Sequence, residues 1–167
     1  MKKIFIYSSS NGHSLKICKA LNKNKESLII DIDMLKTANL DNFDQIVIGA
    51  SVKYGDHNKK VYEFVKKNRV LLEKKKTVFF SVNATARKSE KNTPKTNPYI
   101  IKFLKKTNWT PDHIGVFAGM IDFPNYNFIE KYIIKLIMWI TNGPTDTSKT
   151  FEFTNWDDVK KFSEEIN

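Results

Sequence analysis

The feature that most constrains the fold of this chain is an alternation of short, continuous apolar runs with segments of helical spacing. Apolar runs of five to seven residues lie at 3–7, 44–50, 77–82 and 114–118. Runs this short are typical of strands buried on both faces of a parallel sheet. An alternating run at 28–33 adds a fifth strand, and segments of helical spacing stand at 14–23, 57–72 and 99–107. This order predicts an α/β fold, with a five-stranded parallel sheet covered by helices on both faces.

The C-terminal part of the chain continues with three further elements. They are a helical segment at 127–141, a strand piece at 150–154 and a closing helix at 156–166. The length of 167 residues fits one domain spanning 1–167. In sheets of this kind ligands bind beyond the carboxyl ends of the strands, so the loops after the strands are the first places to search for a site.

A hydroxyl-rich loop, SSSNGHS, joins the first strand to the first helix. It consists of Ser8, Ser9, Ser10, Asn11, Gly12, His13 and Ser14. Free backbone N–H groups at the start of a helix, together with the helix dipole, favour an anion there. The Gly-Lys-Ser/Thr ending of a Walker loop is missing, and so are the three glycines of the dinucleotide fingerprint. The loop therefore predicts a cradle for a monophosphate, and a serine-capped turn without a ligand is the alternative.

Charge is concentrated in the middle of the chain. The net charge is +10, and residues 53–110 carry 16 Lys and Arg against 4 Asp and Glu. Such a field attracts nucleic acid, anionic lipid or an anionic small molecule, unless these lysines only solvate the surface. We expect no nucleic-acid partner, because interleaved aromatic residues and known binding motifs are missing.

Cysteine and histidine usage indicates neither disulfide nor metal chemistry. Cys18 is the single cysteine, on the predicted first helix, where we expect a core residue and a reducing cytoplasm. The three histidines lack the spacing of metal ligands, so no metal site is predicted.

The loop after the first strand resembles the phosphate loop of flavodoxins, which holds the phosphate of FMN. Flavodoxin-like proteins also contact the flavin through the loops after the third and fourth strands. Those loops are here Ser51, Val52, Lys53, Tyr54 and Gly55, and Asn83, Ala84, Thr85, Ala86 and Arg87. The resemblance implies that FMN binds to all three loops and that Tyr54 stacks on its ring.

A narrower resemblance covers nearly the whole chain. Its residues lie in the stretches IGASVKYGDH, FFSVNATARKSEKNTPKTNPYIIKFL, TPDHIGVFAG, FPNYNFIEKYIIKLIM and GPTDT. These resemble the bacterial menaquinone-dependent protoporphyrinogen IX dehydrogenase family. The resemblance implies FMN-dependent oxidation of protoporphyrinogen IX to protoporphyrin IX in haem synthesis, with the electrons passed to menaquinone or another quinone. The alternatives are a flavodoxin-type electron carrier and a general FMN-dependent quinone reductase.

The same resemblance directs attention to candidate substrate contacts, which are Arg87, Lys88, Tyr126 and Trp139. An arginine suits the propionates of a porphyrinogen through its bidentate fork. Positive charge on Lys53, Arg87 and Lys88 would also stabilise a reduced, anionic flavin. No catalytic residue is predicted, because a group that would take the substrate's protons is not identifiable from the sequence.

Long-chain flavodoxins carry an inserted loop near the fifth strand, and here the insert, about 122–147, reads as an amphipathic helix. Its polar side carries lysines, with Ile134 and Met138 intruding, and a wide apolar stripe covers the other half. Such a stripe ordinarily packs on a sheet, but it could also line the site or lie on a membrane. We therefore expect a cytoplasmic protein. Peripheral attachment to the inner membrane is left open, and so is the oligomeric state.

Overall fold

Strands and helices alternate along the chain in the computed structural model, which describes residues 1–23, 27–35 and 39–167. The strands are β1 (Lys3–Ser8), β2 (Leu28–Asp31), β3 (Gln45–Lys53), β4 (Asp56–His57), β5 (Lys76–Val82), β6 (His113–Phe117), β7 (Met120–Asp122) and β8 (Thr150–Glu152). The helices are α1 (His13–Leu21), α2 (Lys59–Leu72), α3 (Pro98–Thr107), α4 (Phe128–Ile140) and α5 (Trp156–Ile166).

Five of these strands form the parallel sheet that the sequence predicts. Their order across the sheet is β2-β1-β3-β5-β6, and every neighbouring pair in it runs parallel. The direction in which the chain adds strands reverses between β1 and β3. A reversal of this kind opens a crevice at the carboxyl ends of the strands, which is the usual ligand position in such sheets.

The two faces of the sheet carry separate cores because side chains alternate along each strand. Ile4 and Ile48 point to the face covered by α2 and α3, and Phe5 and Val47 point to the face covered by α1 and α5. All four side chains are fully buried. Burial on both faces explains why β1 and β3 read as continuous apolar runs rather than as alternating ones.

Short elements depart from the sequence expectations. The segment 57–72 was expected to be wholly helical, but His57 belongs to β4, which turns back antiparallel onto β3. The strand expected at 150–154 is β8, and it pairs with β7 in a separate two-stranded ladder rather than with the main sheet. Strands of two or three residues are too short to show a periodicity, so the sequence could not indicate their partners.

Helix α4 lies between β7 and β8 and contributes little to either core. Met138 is its one buried residue, packed with Ile121 and Phe123, and Ile134 packs against the same cluster. Eight large apolar residues on α4 are exposed: Phe128, Ile129, Tyr132, Ile133, Leu136, Ile137, Trp139 and Ile140. The helix therefore presents its wide apolar stripe outward, and the two residues expected to intrude on its polar side are the ones that face the protein.

Candidate functional site

A cavity of about 430 Å³ opens at the carboxyl ends of β1, β3 and β5. Its volume lies within the usual range for small-molecule sites, about 300–1,000 Å³. Eleven residues singled out from the sequence line it: Ser10, Asn11, His13, Ser51, Val52, Lys53, Tyr54, Gly55, Asn83, Ala84 and Thr85. Arg87 and Tyr126 line it as well, so the three loops expected to act together do meet here.

The remaining candidates lie outside this lining. Four are in or beside the first loop: Ser8 and Ser14 are buried, Ser9 is half-buried and Gly12 is exposed; Ala86, in the third loop, is buried. Lys88 and Trp139 also lie outside it. The side chain of Trp139 is on the outer face of α4 and is 69% exposed, so in this arrangement it faces away from the cavity.

The loop between β1 and α1 has the form of an anion cradle. Gly12 caps α1 with a φ of 78°, in the left-handed region that glycine adopts without strain. The Oγ of Ser14 is fully buried and has no hydrogen-bond partner among the described residues. A buried hydroxyl is ordinarily paired, so a partnerless one in a loop at a helix start indicates a place for an anion.

His13 anchors this loop to the end of the chain. The hydroxyl of Thr154 donates to the carbonyl of Ala118 at 2.7 Å, so its oxygen accepts from His13 Nε2 at 2.6 Å. Burial lowers the pKa of His13, which keeps the ring neutral at pH 7. The ring of His13 therefore fixes the loop through Nε2 instead of adding a charge to the anion cradle.

The loop after β3 is a two-residue hairpin. Lys53 pairs with Asp56 across it, and the two residues between them, Tyr54 and Gly55, both have positive φ values, of 52° and 82°. Two positive φ values are what a tight hairpin of this length needs. Lys102 on α3 donates to the carbonyl of Gly55 at 3.2 Å, so the turn is also held from the side.

A cluster of donors fixes the base of the same hairpin. Asp56 accepts hydrogen bonds from Tyr62 and, at 2.9 Å, from Lys106, and it forms an ion pair with Lys102 at 2.6 Å. Burial alone would raise the pKa of Asp56, but these hydrogen bonds hold it well below its usual range. The hairpin that carries Tyr54 into the cavity therefore stands on a fixed base.

Buried amides and hydroxyls hold the loop after β5. Asn83 Oδ1 accepts from the backbone N–H of Ala86 at 3.0 Å and from Asn97 Nδ2 at 3.2 Å. Asn83 Nδ2 donates to Ser81 Oγ at 3.0 Å, and His57 Nε2 is 2.9 Å from the same oxygen. Asn97 and His57 were not predicted to support this loop, since they are distant in sequence and only the fold brings them together.

Of the three cations expected beside the ring, the two that line the cavity are already engaged with the chain. Arg87 donates to the carbonyl of Ala84 at 2.9 Å and to the carbonyl and hydroxyl of Thr141 at 3.0 and 2.8 Å. Lys53 Nζ lies 2.5 Å from Glu130 Oε1. Glu130 is in the first turn of α4 and Thr141 caps its C-terminal end. The loops after β3 and β5 therefore hold the two ends of one helix.

Sequence reasoning missed five polar residues of the cavity, which are Tyr99, Asp122, Asn125, Glu130 and Thr141. Asp122 accepts from Asn125 Nδ2 and from Thr150 Oγ1, each at 2.7 Å. All of them except Tyr99 belong to the segment that runs from the end of β7 to the turn after α4, in which the sequence predicted an amphipathic insert but no site residue other than Tyr126 and Trp139. Only the position of that segment over the cavity could have revealed them.

Across 1–23, 27–35 and 39–167, no group of three or more His, Cys, Asp or Glu residues is placed to hold a metal ion. In the same ranges, no helix combines the length and the apolar character needed to cross a bilayer.

Comparison with known proteins agrees with this geometry. A family model described as a flavodoxin domain matches residues 4–148. Among solved structures, oxidised flavodoxin 1 from Bacillus cereus has a TM-score of 0.52 at 16% identity, covering 99% of this chain and 97% of that one. A flavoprotein from Lactobacillus acidophilus in complex with FMN has a TM-score of 0.53 at 15% identity, covering 69% of this chain and 92% of that one.

The sheet order, the loop at the start of α1 and the cavity beside it thus define a flavodoxin-type α/β protein. A curated relative from Escherichia coli K12, protoporphyrinogen IX dehydrogenase [quinone], is 38% identical over 99% of this chain and 94% of its own length. The chain belongs to the quinone-linked protoporphyrinogen IX dehydrogenase family.

Proposed function

We propose that this protein binds FMN and oxidises protoporphyrinogen IX to protoporphyrin IX, with menaquinone or another quinone as the acceptor. The observation that supports it best is the cavity itself. Three loops suited to a flavin border one side of it, and the apolar residues Ile134, Ile137 and Met138 of α4 border the other. A simple electron carrier has no need of such an apolar wall opposite its flavin loops.

The first loop fits the phosphate of FMN. Ser14 Oγ is a donor without a partner in the described part of the chain, and the start of α1 supplies the positive end of a helix dipole. The residues proposed to hold the phosphate are Ser8, Ser9, Ser10, Asn11, Gly12, His13 and Ser14. His13 would shape the loop rather than donate to the phosphate, because its ring nitrogen Nε2 is committed to Thr154 and its backbone N–H donates to Asn11 Oδ1 at 3.2 Å.

The other two loops fit the ring. In the proposal 51–55 and 83–87 contact the isoalloxazine, and the aromatic side chain of Tyr54 stacks against it. When bound, FMN supplies the redox chemistry, taking electrons from the porphyrinogen in pairs and passing them to the quinone. The chain's own part is to fix Tyr54 through the hairpin and Asn83 through its buried partners, and so to present a rigid surface.

The substrate would lie between the ring and α4. Tyr126 lines this space beside the apolar residues of α4, and burial raises its pKa, so its hydroxyl stays protonated and able to donate a hydrogen bond. Arg87 and Lys88 are the cations proposed to attract the propionates. Arg87 already donates to Ala84 and Thr141, so it would attract a propionate through its charge. A direct hydrogen bond to the propionate would require it to release Thr141.

Reconstitution tests the proposed function. Protein loaded with FMN is mixed anaerobically with protoporphyrinogen IX, and porphyrin fluorescence is followed with and without a menaquinone analogue. We expect fluorescence to grow in the presence of the quinone and to need FMN. A protein that binds FMN but shows no gain with the quinone would contradict the proposal and favour an electron carrier.

The proposal includes a cytoplasmic location, with attachment to the surface of the inner membrane through α4. The exposed stripe of α4 carries no acidic residue, since Glu130 turns inward to Lys53, and it is flanked by Lys131 and Lys135. A helix with an apolar face and lysines beside it suits the boundary of an anionic bilayer. A lipid-soluble quinone would then be concentrated next to the cavity.

Sedimentation with anionic phospholipid vesicles tests this location. Leu136→Glu combined with Trp139→Glu places two acids on the outer stripe, and we expect it to reduce vesicle binding at least tenfold. The matched control is Val70→Glu, which adds an acid at an exposed apolar residue of α2. Equal binding of the wild type and the α4 variant would contradict the membrane assignment.

A further inference from the structure

The acidic residue of α4 turns toward the cavity, although most of the large side chains of this helix are exposed on its outer face. Glu130 stands in the first turn, where its backbone N–H donates to Asn127 Oδ1 at 2.9 Å. Its Oε1 lies 2.5 Å from Lys53 Nζ and accepts from the hydroxyl of Tyr54 at 3.0 Å. One carboxylate oxygen therefore holds two neighbouring side chains of the β3–β4 hairpin.

The backbone of that hairpin does not depend on Glu130. Its turn is set by the positive φ values of Tyr54 and Gly55 and by the hydrogen bond from Lys102 to Gly55. What Glu130 determines is the direction of two side chains that would otherwise be free to rotate in solvent. Lys53 Nζ also lies 5.2 Å from the centre of the Tyr54 ring, so the three groups form one cluster.

Glu130 also changes the charge at the cavity. The hydrogen bond with Glu130 raises the pKa of Lys53, and the hydrogen bond with Lys53 lowers the pKa of Glu130, so both groups are ionised at pH 7. The positive charge expected from Lys53 alone is thus balanced by a carboxylate. Sequence reasoning that counts lysines near the ring overestimates the positive field that a flavin would meet.

We infer that Glu130 is a positioning residue that fixes Tyr54 and neutralises Lys53, and so couples α4 to the flavin site. The inference rests on the proposed function, because it assigns Glu130 a role in that same site. It goes beyond that function because it gives α4 a role in addition to bordering the cavity. The helix sets the orientation of the aromatic ring beside the flavin and the electrostatic field there.

Two variants separate these roles. Glu130→Gln keeps an oxygen that can accept from Tyr54 but removes the charge that balances Lys53. Glu130→Ala removes both. The matched controls are Glu63→Gln and Glu63→Ala, since Glu63 on α2 forms a comparable surface ion pair with Lys59 at 3.3 Å and does not line the cavity.

The first measurement needs no cofactor. Hydrogen exchange of the backbone amides of 128–133 is compared in FMN-free protein. We expect exchange to be several-fold faster in Glu130→Ala than in the wild type, because the contact with the hairpin is lost. The Glu63 variants should exchange at the wild-type rate. Unchanged exchange in Glu130→Ala would overturn the claim that this residue holds the start of α4.

The second measurement uses FMN-loaded protein. Both Glu130 variants should shift the flavin midpoint potential to more positive values, since Lys53 is no longer balanced, and the Glu63 variants should leave it unchanged. Glu130→Ala should also raise the KM for protoporphyrinogen several-fold while Glu130→Gln stays near the wild type. A merely structural residue would not separate the potential from the KM in this way.

The possible outcomes distinguish a failure of the proposed function from a failure of the role of Glu130. A wild type that neither binds FMN nor oxidises protoporphyrinogen overturns the proposed function, and the role of Glu130 with it. A wild type that turns over, with Glu130 variants whose potentials equal its own, overturns the role of Glu130 alone.

Discussion

At the scale of single residues, Ser14 is where the structure and the proposed chemistry meet most closely. Its hydroxyl is buried and has no partner among the described residues. A buried, unsatisfied polar group costs a folded protein about 1–3 kcal/mol. A site that keeps such a group gains from it only when a ligand supplies the missing partner, and a phosphate oxygen is a strong acceptor.

Ser14→Ala is therefore expected to weaken FMN binding without harming the fold. We predict that the dissociation constant for FMN rises about tenfold, the loss of one charge-assisted hydrogen bond. The free energy of unfolding of FMN-free protein should stay level or rise by up to about 1 kcal/mol. Flavin fluorescence titration and urea unfolding measure the two quantities.

The control for this prediction is Ser163→Ala. Ser163 Oγ is also buried, but it donates to the carbonyl of Leu21 at 3.1 Å, away from the cavity. That variant should lose stability, because it leaves a buried carbonyl with less hydrogen bonding, and should bind FMN normally. The reverse pattern in the two variants would show that the Ser14 hydroxyl is structural.

Residue types at the site were predictable, but their partners were not. The sequence placed Lys53 and Arg87 on loops beside a ligand, and the structure puts both at the cavity. Their partners, Glu130 and Thr141, stand 77 and 54 residues further along the chain. No local pattern encodes a contact over such a separation, so the expectation of free cations could not be corrected before the fold was known.

At the scale of elements, α4 shows how a periodicity can predict a helix while leaving the orientation of that helix open. The spacing predicts a helix with a wide apolar stripe, and the structure contains it. A stripe normally faces the core, because that is how a helix gains stability. Here the helix stands over a cavity, where its inner side has only Ile134 and Met138 to pack, and the stripe faces outward.

Truncations on the two sides of α4 should accordingly differ in cost. Met138 is 2% exposed, and Met138→Ala is expected to reduce the free energy of unfolding by about 2–3 kcal/mol. Leu136 is 55% exposed, and Leu136→Ala should change it by less than about 0.5 kcal/mol. Urea unfolding followed by circular dichroism gives both values. Comparable losses would mean that the stripe is buried in solution.

His57, in the β3–β4 hairpin, should make the stability of the protein depend on pH. His57 is buried against Phe79, Phe103 and Tyr62, and burial lowers its pKa to about 4. Asp56 acts on the ring in the opposite direction and Lys102 in the same direction as burial. The unfolded chain therefore takes up a proton near pH 6.5, well before the folded protein does.

Because His57 resists protonation in the folded state, its contribution to the free energy of unfolding is complete above about pH 6.5 and declines as the pH falls toward 4. Between pH 7.5 and pH 5 we expect the wild type to lose about 2 kcal/mol more stability than His57→Gln. Chemical unfolding at the two pH values measures the difference. Parallel losses in the two proteins would show that His57 titrates normally in the folded state.

At the scale of the whole molecule, the strands of the main sheet were predictable and the pairing of the small ladders was not. Buried parallel strands are continuous apolar runs, so β1, β3, β5 and β6 are visible in the sequence. The three-residue strands β7 and β8 carry no such signal, yet their pairing carries α4 to the mouth of the cavity. The pairing that positions α4 is therefore the part of the fold with the weakest sequence signal.

Oxidation of protoporphyrinogen IX to protoporphyrin IX removes six hydrogen atoms, so six electrons should pass through FMN to three quinone molecules. The most direct measurement is the anaerobic ratio of quinone reduced to protoporphyrin formed by FMN-loaded protein. We expect a ratio of three, with no turnover once FMN is removed. A ratio that varies with conditions, or porphyrin formation that continues without FMN or quinone, would contradict it.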